Sequence, residues 1–222
     1  MNDRKFLFVT CVNDEQLYAR CVKHIQQLDV PSGYAVELLP VRGAVSMCQG
    51  YNHALWKDAK YKIFLHQDTF ILHKQFLHDI LQLFIANPLL GMLGMVGCKV
   101  LPSHGSWFGG SDLVGKFISC ENGVHSLELW REPDGPFEAV EGVDGFMIVT
   151  QYDVTWRADL FRRFHFYDAS QAAEFLRRGL IVGIPRQAEP WCLHFYENHN
   201  INWHDYTKEQ KVFLTHYKGR DE

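Results

Sequence analysis

The chain has 222 residues, 47% of them apolar and 22% charged, and its 22 Lys and Arg against 26 Asp and Glu leave a formal net charge of -4. That length and composition describe an ordinary soluble globular protein of one large domain or two small ones, and they exclude the basic footprint expected of a nucleic-acid binder. The six cysteines form no Cys-X-X-Cys pair, no segment approaches the roughly 20 apolar residues of a membrane span, and Met1 to Lys5 lacks the apolar region of a signal peptide, so a zinc ribbon is disfavoured and a reducing cytoplasm is the expected setting.

Lys5 to Val12 is a near-continuous apolar run of β-formers and reads as a central parallel strand. Asn13, with Gln16 three residues on, predicts a helix N-cap, and Leu17, Cys21, Ile25 and Leu28 then recur at helical spacing. Beyond the break at Pro31-Ser32-Gly33, Val36 to Val41 predicts a second strand. Ser46 stands where it can cap a second amphipathic helix carrying Met47, Tyr51, Ala54 and Leu55. Tyr61 to Leu65 predicts a third strand. Phe76, Ile80, Leu83 and Phe84 mark a third helix that Asn87-Pro88 ends, and Met92 to Val100 predicts a fourth strand. This alternation predicts an α/β fold with a Rossmann-like, mostly parallel central sheet flanked by helices. Gly91, Gly94 and Gly97 open no helix, so the dinucleotide fingerprint is absent.

From Leu101 to Val140 glycines and prolines punctuate the chain, and only short strands such as Ser126 to Trp130 are expected there. A long loop-rich insert of this kind is either a binding region or a surface excursion. Val143 to Thr150 predicts a further strand, opened by Asp144-Gly145. Ser170 to Arg178 reads as a helix ended by Gly179, Leu180 to Ile184 as a strand, Trp191 to Phe195 as a short apolar run and Lys208 to Tyr217 as a closing helix. No repeat or linker divides the chain. Residues 1–222 are expected to form one domain with a parallel half, about 1–100, and an irregular half, 101–222.

The chemistry concentrates where the third strand ends in His66-Gln67-Asp68. A carboxylate at the C-terminal tip of such a strand faces the crevice of an open α/β sheet, where it can hold a divalent cation against a phosphate; a solvated Asp opening a turn is the alternative. Five further segments follow the same order as a known family. They are Phe8 to Glu15, Ser46 to Ala54, Asp144-Gly145-Phe146, Phe166-Tyr167-Asp168 and Trp191 to His194. Together with Leu65 to Asp68 they resemble a GT-A glycosyltransferase over about residues 5 to 200, and more narrowly the family-two-like branch that includes the streptomycin-biosynthesis-related domain.

The resemblance implies a UDP-, GDP- or dTDP-linked sugar donor, an acceptor glycan or small molecule, and Mn²⁺ or Mg²⁺. It makes residues 1–100 the half that binds the nucleotide sugar and the rest the acceptor side. His66-Gln67-Asp68 occupies the place of the family's Asp-X-Asp motif, which puts Asp68 on the metal, His66 beside the nucleotide or the metal, and Gln67 beside the nucleotide. A histidine replaces the first carboxylate, and imidazole suits Mn²⁺ better than Mg²⁺. His194 matches the late histidine that some relatives use as an extra ligand; a core or surface histidine is the alternative.

Thr10, Val12, Asn13 and Glu15 fall where relatives hold the base and ribose, although Asn13 and Glu15 also suit a helix start. Ser46 and Asn52 fall beside the diphosphate, with an internal hydrogen-bonding role open for Asn52. Val41-Arg42-Gly43-Ala44 stands in place of the usual Asp-Asp-Gly-Ser stretch. Tyr167-Asp168 matches the Glu-Asp pair whose Asp is the general base of an inverting displacement; the competing role for Asp168 is a helix cap completed by Gln171. Asp144, Gly145 and Trp191 fall on the acceptor side, with core packing the alternative for the tryptophan. Two other functions fit the same residues: a non-catalytic nucleotide- or sugar-binding relative, and a metal-dependent nucleotidyltransferase.

Overall fold

β1 (Lys5–Val12) is buried on both faces, with β2 (Ala35–Arg42) parallel on one side and β3 (Tyr61–Leu65) parallel on the other. In this computed structural model, which describes residues 1–196 and 201–218, Phe6 and Phe8 of β1 enter one apolar cluster and Leu7 and Val9 the other. A strand that feeds two cores has no polar face, so its sequence is a continuous apolar run. α1 (Glu15–Ile25) and α2 (Met47–Asn52), the latter extended by a single 3-10 turn at His53–Trp56, make the first two crossovers.

The remaining elements are β4 (Thr69–Ile71), α3 (Phe76–Ala86), β5 (Leu90–Gly94), β6 (Val96–Val100), β7 (Ser111–Glu121) and β8 (Val124–Leu129). They continue with β9 (Phe137–Ala139), β10 (Gly142–Val143), β11 (Met147–Thr150), α4 (Tyr167–Leu176), β12 (Ile181–Pro185), β13 (Cys192–Tyr196) and α5 (Trp203–Phe213). One sheet has the order β2-β1-β3-β11-β5-β12-β9, and a second runs β10-β6-β7-β13-β4 with β8 added on β7. The first sheet is mixed, because β11 runs antiparallel to both β3 and β5.

Three segments cross between the two sheets along one seam. β3 passes through His66-Gln67-Asp68 into β4, β5 passes through Met95 into β6, and β10 passes through Asp144-Gly145-Phe146 into β11. The apolar runs Met92 to Val100 and Val143 to Thr150, each expected as one strand, are therefore each two. Close packing enforces the crossing: a Cβ on Gly97 would lie 2.1 Å from the Gly142 carbonyl oxygen, and one on Gly94 would lie 2.6 Å from the Val143 side chain. The backbone of Phe146 ties two crossings together by accepting from His66 N at 2.9 Å and Thr69 Oγ1 at 3.3 Å.

Other boundaries differ from the sequence expectation. Asp14, not Asn13, caps α1, its Oδ1 accepting from Gln16 N at 2.8 Å and Leu17 N at 3.0 Å. The insert at 101–140 contains the eleven-residue β7, the longest strand described. Gly115 sits inside it at φ +102, where a Cβ would meet the Met95 carbonyl at 2.3 Å, so this glycine marks a distortion within a strand and not its end. α4 begins at Tyr167 after Phe166 adopts the left-handed φ of 55.

Candidate active site

β4 pairs antiparallel with β13 in a register that sets His194 against Thr69, and this brings His194 beside Asp68. His194 Nε2 lies 3.4 Å from Asp68 Oδ1, and His66 Nδ1 lies 3.8 Å from the same oxygen. The ligand atoms of the three residues all fall within 4.8 Å of one another. Asp68 Oδ1 is enclosed and makes no hydrogen bond among the described residues. Those separations suit neighbours around a common ion better than a direct contact, since ligands about 2.1 Å from a cation at right angles stand about 3 Å apart. Burial alone would raise the Asp68 carboxyl, but the imidazoles of His194 and His66 outweigh it and hold it below its ordinary value. The anionic form that a cation needs is therefore favoured. The donor set, two imidazoles and a carboxylate, fits a divalent transition ion such as Mn²⁺ better than Mg²⁺.

Tyr167 orients this cluster. Its hydroxyl lies 2.6 Å from His66 Nε2. When His66 ligates through Nδ1, Nε2 keeps its proton and donates it to the phenol oxygen. Burial holds the Tyr167 phenol well above its ordinary value, so it stays neutral.

A cavity of about 250 Å³ opens beside the cluster and is lined by Val12, Asn13, Gly43, Gln67, Asp68 and Phe164 among others. Gln67 locks its floor: Oε1 accepts from Asn13 N at 2.9 Å and Asp14 N at 3.0 Å, and Nε2 donates to Asn13 Oδ1. Val12, Asn13, His66 and Gln67 thus converge on this cavity, and four other candidates do not. Thr10 is sealed inside β1 at 1% exposure opposite Pro40, one residue position too deep in the strand to reach the cleft. Ser46 Oγ accepts from Gln49 N at 3.1 Å and caps α2. Asn52 clasps the backbone of Trp156, donating to its carbonyl at 2.9 Å and accepting from its N–H at 2.9 Å, which is the internal role. Glu15 accepts from Arg42 Nε at 2.6 Å and Nη2 at 3.0 Å, an exposed pair outside the lining.

A second recess contains Asp144, Gly145, Tyr167 and Asp168, with Trp107 and Tyr206 on its walls. Phe164 lines both this recess and the first cavity, so the two are neighbours. Burial, and then the nearby Asp144 charge, push the Asp168 carboxyl up to about 7. A base poised there is half-ionised near neutral pH. The capping box is not formed: Gln171 donates to Val154 O at 2.9 Å, and Asp168 Oδ1 accepts from the adjacent Ala169 N at 2.8 Å. Asp144 is fixed by Trp107 Nε1 at 2.9 Å and Phe146 N at 2.9 Å.

Trp191 is not part of this recess. It is 5% exposed, stacks on His73 at 5.2 Å and meets Phe76 edge-on at 5.8 Å, because β13 turns it into the core beneath α3. Tyr167 and Phe164 are the site residues that residue-level reading left without a role. The signal for Tyr167 was its place beside Asp168 where relatives carry Glu; for Phe164, an exposed loop aromatic, there was none.

Residues 7–217 match a family described as glycosyltransferase-like, and the chain belongs to that family. Comparison with curated protein sequences gives no match. Among solved structures it is similar to a mannosyltransferase from Pyrobaculum calidifontis in complex with GDP-Man and Mn²⁺, at TM-score 0.54 and 10% identity, covering 92% of this chain and 59% of that one. It is also similar to residues 1–349 of S. aureus TarS, at TM-score 0.51 and 11% identity, covering 86% and 60%. The chain thus spans about three fifths of each of those structures. The fold is that of the GT-A glycosyltransferases. Among the described residues no helix is long and apolar enough to cross a membrane.

Proposed function

We propose that the chain transfers a sugar from a UDP-, GDP- or dTDP-linked donor to a hydroxyl of an acceptor glycan or small molecule, with inversion at the anomeric carbon. The observation that carries this reading is the convergence of His66, Asp68 and His194 at one end of a cavity whose neighbour holds Asp168. His66, Asp68 and His194 would hold Mn²⁺ or Mg²⁺, which supplies charge to the departing diphosphate when bound.

The chain's own residues do the rest. Val12, Asn13 and the locked Gln67 shape the pocket for the nucleotide. Asp168 takes the proton of the acceptor hydroxyl as its oxygen forms a bond to the anomeric carbon. The bond from that carbon to the donor phosphate breaks, and the nucleoside diphosphate leaves with the electron pair. Asp144 stands beside the base and accepts from an acceptor hydroxyl on the Gly145 side.

The reading extends to a single domain in which residues 1–100 provide most of the donor pocket. It extends also to the streptomycin-biosynthesis-related branch, for which the order of the sequence motifs is the support. The free state of all six cysteines supports a cytoplasmic setting. The test is release of nucleoside diphosphate from a panel of UDP-, GDP- and dTDP-sugars. Release that needs Mn²⁺ and stops in Asp68→Ala supports the reading; release by Asp168→Asn at the wild-type rate removes the base.

A further inference from the structure

Beyond the recess of Asp168 the surface continues into a cavity of about 270 Å³ between β7, β8 and the 3-10 turn at Trp107–Gly109. Trp107 and Asp144 line both spaces, so the cavity is the outward extension of the acceptor recess. Its walls are aromatic, and Trp107 stands perpendicular to two of the other rings. Trp107 meets Trp130 at 88° and Phe108 at 85°, while Phe117 lies at 30° to Trp130. Rings set at right angles make a box; a flat platform for stacking a sugar face would set them side by side.

The polar lining is one-sided. Asp144, Glu121 and Glu128 contribute carboxylates, and no Lys, Arg or His lines the cavity among the described residues. The Ser119 hydroxyl donates to Glu128 Oε1 at 2.9 Å and the Trp107 N–H to Asp144 Oδ2 at 2.9 Å, so these two donors are already given to carboxylates. A neutral sugar presents hydroxyls that both donate and accept, and it would leave its acceptors poorly matched here. An ammonium group donates three hydrogen bonds and accepts none, and it is attracted to aromatic faces. We propose that this cavity binds a protonated amine on the acceptor, so that the acceptor class is an amino sugar or other amine-bearing alcohol. The proposal rests on the reading of the Asp168 recess as the acceptor side.

The test is calorimetric titration of the full chain with glucosamine, N-acetylglucosamine and glucose, at a pH where the free amine is protonated. Each is run with and without UDP, GDP or dTDP plus Mn²⁺. Glucosamine should bind about tenfold or more tighter than its N-acetyl form. Glu128→Gln and the exposed Glu121→Gln should each remove most of that margin, with melting temperature checking that the fold is kept. Quenching of tryptophan fluorescence by glucosamine, lost in Trp130→Phe paired with Trp107→Phe, gives a readout that does not depend on removing a charge. Equal affinity for the three sugars, a preference for a neutral one, or no binding of any would overturn the proposal. If nucleoside diphosphate binds with Mn²⁺ and glucosamine shows no preference, this inference alone falls. If glucosamine binds selectively and no nucleoside diphosphate does, the transferase reading falls and the amine site stands.

Discussion

The Tyr167 hydroxyl fills the space that a side chain on Gly145 would need: a Cβ there would lie 2.1 Å from the phenol oxygen and 2.4 Å from the ring carbon that bears it. The Asp-Gly pair that opens β11 is therefore a steric requirement of the site. Gly145→Ala should push Tyr167 off His66 and cost about 1–3 kcal/mol of stability, the usual penalty for overpacking. Tyr167→Phe keeps the shape and removes only the hydrogen bond to His66. It should fold normally and bind Mn²⁺ about 10- to 100-fold more weakly, as expected for loss of a partner that orients a ligand. Thermal melts with and without Mn²⁺ separate the two effects.

Asp168 makes a prediction with a sign. Its carboxyl is raised from the model-peptide value of 3.8 to about 7, so folding favours the protonated form. Its contribution to stability is complete below the unfolded value and is lost as pH rises through about 7. Activity runs the other way, because the base must be ionised: kcat/KM should fall as pH drops below about 7. Asp168→Asn imitates the neutral form. It should lower turnover by about 10²- to 10⁴-fold while being at least as stable as the wild type at pH 8. A helix cap would give a different pattern: Asp168→Asn would keep both activity and stability, because Asn caps as well as Asp, and Asp168→Ala would lose about 0.5–2 kcal/mol while staying active. A pH–rate profile and urea melts at two pH values distinguish them.

Asn52 tests whether the donor cavity has been drawn correctly. Both ends of its side chain are engaged by the Trp156 backbone. Asn52→Ala should cost about 1–3 kcal/mol, because buried backbone groups lose their partners. Nucleoside diphosphate affinity should remain within about twofold once the protein is kept well below its melting temperature. A large loss of affinity without a loss of stability would return Asn52 to the nucleotide site.

The first hundred residues were legible because their physics is local. β1 and β3 lie between two cores and read as apolar runs, and α1 and α3 bury one stripe each. The seam between the sheets was not, because a strand that changes sheet at Met95 or Asp144 keeps its apolar character across the bend. β7 was hidden by Gly115, which looks like a breaker and is held instead by the Met95 backbone. In the site, the place of Asp68 at a strand tip was legible from the apolar run before it, while its proximity to His194 was implied only by the resemblance, since it is the β4–β13 register that makes them neighbours. Thr10, Glu15, Ser46 and Asn52 fall outside the cavity lining, and the sequence does not show this because strand ends and helix starts carry the same residue types whether they cap, brace or bind.

The central claim is that His66, Asp68 and His194 form a divalent-cation site that anchors the donor diphosphate. Calorimetric titration of UDP, GDP and dTDP into the wild type and Asp68→Ala, with and without Mn²⁺, tests it most directly. The account predicts binding of at least one nucleotide that requires Mn²⁺ and vanishes in the variant. Equal binding with and without the ion, or undiminished Mn²⁺-dependent binding by Asp68→Ala, would contradict it.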